Sequence, residues 1–467
     1  MDIIKLILAY ILPIMTGFTA VTICERGKSR LAMPEKIAMS FILGSGLTSF
    51  YILYLAMAGI RFCWVSIAPF YVVTITIGIL VIKRWGPKRF FSFTPRHPLW
   101  RLGLLKTILM ILIALLLLWK ILSIGFLLGM SPTYFDDSVA NWNNKAKIFY
   151  HHRTVVLEEE HPDFLGGYLI WYPISIPLFK TWIHLCMGRW VEWAANLYTL
   201  AMFLSLGVIA YYNLSRFLRP FTALIFTYLT MSVPLITFHA GFSYADLVIA
   251  IYFFIGIIYL IRWIRERDTT FYYISALIFS IGISAKNEMI PLFISSALSM
   301  VILYQILVHS KYRTKIKTVI LYLGLVIIPN VPWFILKRIH NLSIVLPESY
   351  REWEFHPEAF GILYQYFFHS GNYNILWLVF LFAVLVSLPL LIKTELKYLL
   401  LSITGALFVT LALFIITSFF KYLQIGTTIN RALLILLPLI VFYIAALYGK
   451  LTGENNTNLK QSQIPRS

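Results

Sequence analysis

Carboxylates and basic side chains recur in this chain at the ends of long apolar stretches. Two adjacent aspartates, Asp136 and Asp137, come directly after one such stretch and before a helical segment. A carboxylate at a membrane surface is well placed to take a proton from an attacking hydroxyl or amine, and so to act as a general base. Asp137 or Ser138 can cap the following helix, and because Asp137 is the better placed of the two aspartates for this role, Asp136 is favoured as the base. One capping and one solvated carboxylate, without catalysis, explain the spacing equally well.

Further polar residues mark the ends of later apolar stretches. Ionisable groups near membrane depth are costly, and they are usually paired or functional. Arginine and lysine suit the oxygens of a phosphate, whereas aspartate and glutamate can bind sugar hydroxyls or accept a proton. This combination suits chemistry on a lipid-linked phosphate sugar. For Lys286 and Glu288, a simple ion pair without catalysis is an equally good explanation. The residues concerned are His239, Tyr244, Asp246, Lys286, Glu288, Lys421 and Arg431.

A compact acidic cluster with one imidazole lies in the same segment as the paired aspartates. It contains the glutamates at 158–160 together with His161 and Asp163. Carboxylates and imidazoles are ligands for divalent ions, so a divalent metal can be held here. The alternative is a solvated run of glutamates, which is the more common situation. His161 and Asp163 are therefore kept as supporting residues of a site, and no residue is assigned as a metal ligand.

The elements that position these residues follow from composition. The chain has 467 residues, of which 60% are hydrophobic and 13% charged, and its mean hydropathy is +0.79. This mixture lies far outside that of a soluble domain. Backbone groups in lipid must be bonded internally, so apolar stretches of about 18 residues or more predict an all-α, polytopic transmembrane protein of about thirteen spans. The spans are predicted at 1–22, 37–58, 64–82, 104–128, 192–213, 221–238, 244–263, 271–285, 289–308, 318–336, 374–392, 398–418 and 430–449.

The distribution of charge predicts the orientation of these spans. The chain has 39 basic and 20 acidic residues, a net charge of +19. One set of alternate connections carries 25 of the basic and six of the acidic residues, whereas the rest of the chain carries 14 of each. Basic residues concentrate on the cytoplasmic side of membrane proteins. We therefore expect a cytoplasmic-membrane protein with its N-terminus outside, its C-terminus inside and an extracytoplasmic active site. The lipid bilayer, and no nucleic acid, is the partner that explains the basic composition.

The predicted spans divide the chain into four parts. Residues 1–128 form an N-terminal segment of four spans, and 129–191 form a large outer loop of catalytic type. Residues 192–449 hold the remaining bundle with a second outer loop at 337–373, and 450–467 read as a disordered cytoplasmic tail. No soluble domain is expected.

Two helices of the large outer loop are predicted to lie at the membrane interface. The first carries an apolar stripe and more polar positions that include Asn143 and Lys145. The second covers 171–188, which is apolar but interrupted by two prolines and Lys180, and we interpret it as interfacial or re-entrant. The stripe consists of Val139, Trp142, Ala146 and Phe149.

Four motifs follow one another between residues 134 and 440. They are YFDDSVANWNNKAKIFY with HPDF and YPISIPL, then GFSYADLVIAIYFF, GISAKNEMIPLF and INRALLILLPL. In these motifs the chain resembles the GT-C superfamily of membrane glycosyltransferases, specifically the bacterial and archaeal proteins related to protein mannosyltransferases and lipid A aminoarabinose transferases. The resemblance implies a GT-C-like fold. The chain departs from that family in placing its large outer loop after the fourth predicted span instead of the first.

The resemblance also implies a reaction and roles for the polar residues. It implies transfer of a sugar from a polyprenyl-phosphate donor to a lipid, glycan or protein acceptor at the outer face, usually with inversion. An aspartate of the large outer loop acts as base in such enzymes, which corresponds here to Asp136 or Asp137. By the same resemblance, Lys286 and Arg431, and less closely Lys421, bind the donor phosphate. Asp246 and Glu288 would support the site.

Two other functions compete with a transferase. A transporter or flippase of a lipid or small solute also uses many spans with scattered charge, but its polar groups should concentrate at the midplane of broken helices. A polymerase or ligase of surface polysaccharide also uses lipid-linked sugars, and it would show an arginine-rich outer loop. The loop 337–373 contains only Lys337, Arg338 and Arg351 as basic residues. We therefore expect an enzyme.

Overall fold

The computed structural model describes residues 2–86, 103–308, 312–344 and 352–454. Within these ranges the regular secondary structure is helical, and the only β-type contact is one isolated bridge. The predicted all-α class is confirmed for this part of the chain. Most of the predicted cytoplasmic tail lies outside the described residues.

Twenty-one α-helices follow one another in the described chain, with a few short π- and 3-10-helical segments. The first eleven helices are α1 Asp2–Glu25, α2 Met33–Met57, α3 Trp64–Trp85, α4 Leu104–Met130, α5 Asn144–His152, α6 Ser175–Met187, α7 Glu192–Leu214, α8 Pro220–Ser232, α9 Pro234–Gly241, α10 Ala245–Glu266 and α11 Thr269–Ala285. The others are α12 Met289–Leu292, α13 Ser299–Leu307, α14 Tyr312–Ile327, α15 Val331–Ile339, α16 Glu358–Phe368, α17 Leu376–Leu391, α18 Leu396–Ile415, α19 Phe420–Ile425, α20 Thr427–Leu434 and α21 Leu437–Leu451. The π-helical segments are Asp137–Asn143 and Phe293–Leu298, and the 3-10 segments are Phe164–Gly166 and Ile328–Asn330.

Nine helical stretches of the described chain are long and apolar enough to cross a membrane, so the protein is an integral membrane protein. They are α1, α2, α3, α4, α7, α10, α18 and two composite helices, Met289–Leu307 and Arg313–Ile339. Two further candidates are bent pairs: α8 with α9 at 63° and α20 with α21 at 44°. The shorter apolar helices α11 and α17 have 17 and 16 residues. Each of the thirteen predicted segments coincides with one of these helices or pairs.

Helix α10 forms the centre of the bundle. All its residues from 245 to 264 are buried, and it packs against α7, α11, α20 and α21. Helix α4, by contrast, buries only Ile124 and Leu128. A helix that is apolar all round can be exposed in this way only where lipid replaces water. The two ends of α10 therefore lie at the centre of the two ends of the bundle, and each carries buried charged groups.

The large outer loop folds back onto the bundle. Helix α6 within it has 13 residues, all buried, and its length of about 20 Å at 1.5 Å per residue is shorter than the hydrocarbon core. In the preceding helical segment three of the four predicted stripe residues are fully buried, whereas Val139 is exposed. The expectation that Lys145 lies on a polar face was wrong. Lys145 is fully buried, and its Nζ atom donates a 2.9 Å hydrogen bond to the Leu169 carbonyl. Asn143, predicted on the same polar face, is buried as well.

Candidate functional site

Six of the predicted site residues form one continuous set of ion pairs and hydrogen bonds. Arg431 forms an ion pair with Asp137, and its Nε atom lies 3.0 Å from Asp246 Oδ2. Lys286 Nζ lies 2.8 Å from the other oxygen of Asp246 and 2.9 Å from Glu288 Oε1. We call this set the charged network; its members are Asp136, Asp137, Asp246, Lys286, Glu288 and Arg431.

The members of the charged network come from separate segments that meet at one end of the bundle. The two aspartates follow α4, Asp246 lies in the first turn of α10, and Arg431 lies in α20. Lys286 and Glu288 occupy the short turn between α11 and α12. Because α4 and α11 end where α10 begins, helices that alternate in direction bring these positions to one face.

The start of α20 requires a glycine. Gly426 immediately precedes this helix and has a φ of +80°, a conformation that side chains rarely adopt. A β-carbon there would also lie 2.1 Å from the hydroxyl of Tyr366. The glycine lets the chain turn sharply into the eight-residue helix that carries Arg431.

Asp246 is the centre of the charged network. It is buried, and both of its oxygens are used, one by Lys286 and one by Arg431. A buried carboxylate is tolerated only when it is paired and hydrogen-bonded. Burial alone would lower the pKa of Lys286, but the carboxylates of Asp246 and Glu288 outweigh it and hold that pKa above its usual value. Lys286 therefore remains a cation at any physiological pH.

The two aspartates have different environments. The helical segment begins at Asp137 and its N-cap is Asp136, whose Oδ1 accepts hydrogen bonds from the Asp137 amide at 2.7 Å and the Tyr244 hydroxyl at 3.1 Å. The prediction that Asp137 caps the helix was wrong, because Arg431 takes its carboxylate. Asp136 is exposed and has no cation partner among the described residues. Of the two aspartates, Asp136 is thus the one whose carboxylate is open to a ligand.

Two further side chains border the charged network. The Tyr172 hydroxyl donates a 3.3 Å hydrogen bond to Glu288, and its ring centroid lies 5.7 Å from Lys286 Nζ. Burial, with Glu288 adding to it, raises the pKa of Tyr172, so the phenol stays protonated. The buried His239 packs against Tyr244, and its Nδ1 atom has no hydrogen-bond partner in the described part of the chain. Sequence reasoning noted His239 and Tyr244 but missed Tyr172, whose only signal was its place in the YPISIPL motif.

A second set of polar side chains, linked by hydrogen bonds, supports the segment that carries the aspartates. Lys180 Nζ donates to Asn143 Oδ1 at 2.6 Å and to Ser243 Oγ at 2.9 Å. The Asn143 amide in turn donates to Asn196 and to Thr133, each at 3.0 Å. Burial lowers the pKa of Lys180 to about 7. These hydrogen bonds connect α6 and α7 to the segment after Asp137 and so hold both aspartates in position.

The residues of the predicted acidic cluster bind different partners. Glu159 lies 2.5 Å from the ring Nδ1 of His340, whereas Asp163 lies 2.8 Å from His152 Nε2 and its amide donates to His161. His152, His161 and Asp163 offer ligand atoms within 4.8 Å of one another, so these three could hold a divalent ion. The sequence had indicated two of the three. It missed His152 because that residue lies in α5, outside the acidic run.

Lys421 has a different environment from the other predicted phosphate-binding residues. It lies in α19, and its Nζ atom is 5.4 Å from the centroid of the Tyr422 ring. The six members of the charged network pair with one another without it. A role for Lys421 in phosphate binding stays a prediction.

The geometry offers two chemical functions at one place. Asp136 can accept a proton. Arg431 uses its Nε and one terminal nitrogen for carboxylates, and the other terminal nitrogen donates to no side chain or carbonyl among the described residues. That nitrogen can donate to the oxygen of an anionic ligand. Comparisons with known protein families, with curated proteins and with solved structures find no match for this chain.

Proposed function

We propose that the protein is a membrane glycosyltransferase of GT-C-like fold. It transfers a sugar from a polyprenyl-phosphate donor to a lipid, glycan or protein acceptor at the extracytoplasmic face, with inversion. The observation that carries the proposal is the charged network. In it Asp136, which has no ion-pair partner among the described residues, lies at the same end of the helix bundle as Lys286 and Arg431, two cations of the kind that bind phosphate. Such a place suits an amphiphile whose charged head rests at the interface while its tail stays in lipid.

In the proposed reaction Asp136 is the general base. It takes the proton from the attacking hydroxyl or amine of the acceptor, whose oxygen or nitrogen then bonds to the anomeric carbon. The bond between that carbon and the phosphate oxygen breaks, and polyprenyl phosphate leaves from the opposite face of the sugar. The configuration at the anomeric carbon is inverted.

Arg431 stabilises the leaving phosphate in this proposal. Its position is set by Asp137 and Asp246, so it is held in place before the donor binds. A positioned donor aimed at the oxygen that gains charge lowers the barrier more than a mobile one, because no reorganisation is needed during the reaction. Lys286 contributes positive charge and, through Asp246, supports the orientation of Arg431.

The proposal includes thirteen spans with the N-terminus outside. Helices α11 and α17 are about 25 Å long at 1.5 Å per residue, so they can cross where the bilayer thins locally or where flanking residues extend the span. With this number the charged network lies on the side that holds few surplus basic residues. A lipid-linked donor presented at the outer leaflet would reach it there.

Asp136→Asn is the direct test of the proposed base. Purified protein in proteoliposomes should transfer radiolabelled sugar from one member of a panel of polyprenyl-phosphate sugars to acceptors in native membrane extract. We expect Asp136→Asn to lower transfer by about a hundredfold or more, as loss of a general base does. The double change Asp136→Asn with Asp137→Asn should abolish it.

Glu160→Gln provides the matched control. It makes the same kind of change, from carboxylate to amide, in the same outer loop, at an exposed residue that belongs neither to the charged network nor to the three possible ion ligands. Transfer should be retained, and the melting temperatures of Asp136→Asn and Glu160→Gln should stay close to that of the parent protein. Full turnover in the double aspartate variant would exclude the proposed base.

A transporter or flippase is the second candidate, and two observations favour it. Both bent helix pairs carry a residue in or beside the charged network on their shorter helix, His239 in α9 and Arg431 in α20, and broken helices often line transport sites. The charged network also has four carboxylates against two cations. An excess of two negative charges suits a transporter that couples the movement of its solute to that of a proton or another cation.

The same proteoliposomes distinguish the two functions. A flippase would move a fluorescent polyprenyl-phosphate lipid between leaflets with no acceptor present, and it would leave the bond between sugar and phosphate intact. The transferase releases free polyprenyl phosphate only when an acceptor is present. Movement without bond cleavage would favour the transporter.

A further inference from the structure

An amphipathic cavity lies outside the charged network. It has a volume of about 550 Å³, which falls in the range of sites that bind small molecules. Its walls come from the start of α1, the connection between α2 and α3, the end of α5 and the end of α6. Three cations line it, namely Lys5, Arg61 and Arg153, and its lining contains no carboxylate.

The backbone holds two of the three cations close together. The amide of Phe62 donates a 2.6 Å hydrogen bond to the carbonyl of Arg153, which joins the α2–α3 connection to the end of α5. The guanidinium of Arg153 stacks over the Tyr150 ring, with 4.4 Å between its Cζ atom and the ring centroid. Arg61 immediately precedes Phe62. Two arginines from segments distant in sequence are thereby placed at one opening.

The third cation is placed by the end of α6. Lys5 Nζ donates a 3.3 Å hydrogen bond to the Met187 carbonyl at the last turn of that helix. Gly188, with a φ of +74°, ends the helix, and a β-carbon there would lie 3.8 Å from Lys5 Nζ. The neighbouring ion pair of Asp2 with Arg189 neutralises a different cation. Among the described residues, no carboxylate forms an ion pair with any of the three cations that line the cavity.

The rest of the cavity wall is largely apolar and lies beside the start of an apolar helix. Phe62, Trp64 and Leu185 contribute to its wall, and Trp64 is at the first position of the apolar helix α3. Tryptophan at the end of such a helix is typical of the boundary between headgroups and hydrocarbon. The cavity therefore combines a positive rim with an apolar wall, as the binding of a charged headgroup and the upper part of its chains requires.

We propose that this cavity binds the phosphate headgroup of an anionic membrane lipid. Lysine and arginine donate charge-assisted hydrogen bonds to phosphate oxygens, and basic pockets between membrane helices bind anionic lipid headgroups in this way. The apolar wall distinguishes a lipid from free phosphate. Binding here is independent of the proposed transferase reaction, since none of the lining residues belongs to the charged network.

Cys63 provides a direct measurement of occupancy. Cys63 lines the cavity and is exposed, whereas Cys186, which also lines it, and Cys24 are buried. Delipidated protein in neutral detergent is titrated with phosphatidylglycerol, phosphatidylcholine or inorganic phosphate, and the rate of Cys63 alkylation by an uncharged maleimide is measured. Phosphatidylglycerol should slow alkylation strongly. Phosphatidylcholine, which has no net charge, and millimolar inorganic phosphate should slow it little.

Arg61→Gln and Arg153→Gln test the role of the cations. Each cation near the membrane surface should contribute about fivefold to the affinity for an anionic lipid, so each variant should require a correspondingly higher phosphatidylglycerol concentration for protection. Arg189→Gln is the matched control, since Arg189 lies beside the cavity but not in its lining. The control should bind as the parent protein does.

Four results would overturn the proposal. They are absence of protection by phosphatidylglycerol, equal protection by phosphatidylcholine, equal protection by inorganic phosphate, and a loss of affinity in Arg189→Gln as large as that in the two lining variants. Native mass spectrometry of the same samples gives the lipid stoichiometry. One phosphatidylglycerol retained by the parent protein and lost in Arg61→Gln would support the site even if one variant proved less stable.

Discussion

Asp246 is the residue on which the charged network depends. It is buried and pairs with two cations that have one other carboxylate each, Glu288 for Lys286 and Asp137 for Arg431. Removal of one partner of a buried pair is costly because a charge remains without compensation. A change at Asp246 should therefore lower the stability of the protein, whether or not the charged network carries out a reaction.

We expect Asp246→Asn to destabilise the protein by about 3 kcal/mol or more, because it leaves two largely buried cations each short of a carboxylate. Thermal unfolding in detergent measures this effect. Asp2→Asn is the matched control, since Asp2 also pairs with an arginine, but the pair is exposed and should contribute less than about 1 kcal/mol. Equal melting temperatures for the two variants would contradict the central role of Asp246.

Lys180 makes stability depend on pH. Burial lowers its pKa in the folded protein to about 7, whereas an unfolded lysine titrates near 10.5. Between these values the unfolded state binds more protons, so stability should rise with pH, by up to about 1.4 kcal/mol per pH unit for one such group. Burial likewise lowers the pKa of Lys145 to about 7, so it adds to the same trend.

Lys180→Met should therefore flatten the rise in melting temperature between pH 7 and pH 9. The slope is the diagnostic quantity, because the substitution also removes the hydrogen bonds to Asn143 and Ser243 and so lowers stability at every pH. Lys147→Met is the control, since Lys147 is an exposed lysine of the same outer loop. An unchanged slope in Lys180→Met would show that Lys180 is not a buried neutral amine.

At the scale of elements, close contact between α1 and α2 depends on two glycines. A β-carbon at Gly44 would lie 1.8 Å from the Pro13 carbonyl oxygen, and one at Gly17 would lie 1.8 Å from the Ser40 carbonyl oxygen. Both obstructions are backbone atoms, which cannot move aside as a side chain can. Small residues allow membrane helices to approach closely because lipid provides no hydrophobic force between them.

Gly44→Ala should therefore separate α1 from α2 and destabilise the protein by about 1–3 kcal/mol, the usual cost of overpacking. Gly129→Ala in α4 makes the same change where no atom lies within 4 Å of the added carbon. This control should be neutral or slightly stabilising, since alanine favours a helix over glycine. Thermal unfolding compares the two, and equal stability would contradict the packing of α1 on α2.

At the scale of the whole molecule, α10 joins two buried charged clusters. Asp246 lies in its first turn, and Arg262 lies 16 residues later, about 24 Å away at 1.5 Å per residue. Arg262 Nη1 lies 2.8 Å from Glu35, a fully buried carboxylate that Arg216 also contacts at 3.1 Å. The second cluster lies at the end that charge predicts to be cytoplasmic. It ties α2 and α10 to the residues that follow α7, at the end opposite the charged network.

The predicted orientation can be tested with single cysteines. In a Cys63→Ser background the remaining native cysteines are buried. Glu160→Cys, in the large outer loop, should react with a membrane-impermeant maleimide on intact cells. Lys393→Cys, in the exposed connection between α17 and α18, should react only after permeabilisation. The reverse pattern would place the charged network on the cytoplasmic side, where a donor in the outer leaflet could not reach it.

The sequence by itself determined the class of this protein and the positions of its helices. Hydropathy over about 18 residues is a property of a continuous segment, so composition alone predicted the long apolar helices, and the nine helical stretches that are long and apolar enough to cross a membrane all lie at predicted segments. It also indicated polar residues at helix ends, since charge in an apolar run is evident without any knowledge of folding. The six members of the charged network were therefore all evident in the sequence as charged residues near the ends of apolar segments.

Only the tertiary structure decided which of these groups meet. Asp137 and Arg431 pair across 294 positions of the chain, and Tyr172 reaches Glu288 across 116. For the same reason Arg431 takes the carboxylate of Asp137 and leaves the helix cap to Asp136, against the expectation from local spacing. Hydropathy and helical period describe neighbours along the chain, whereas a hydrogen bond requires two particular atoms within about 3 Å, which only the packing of distant helices can provide.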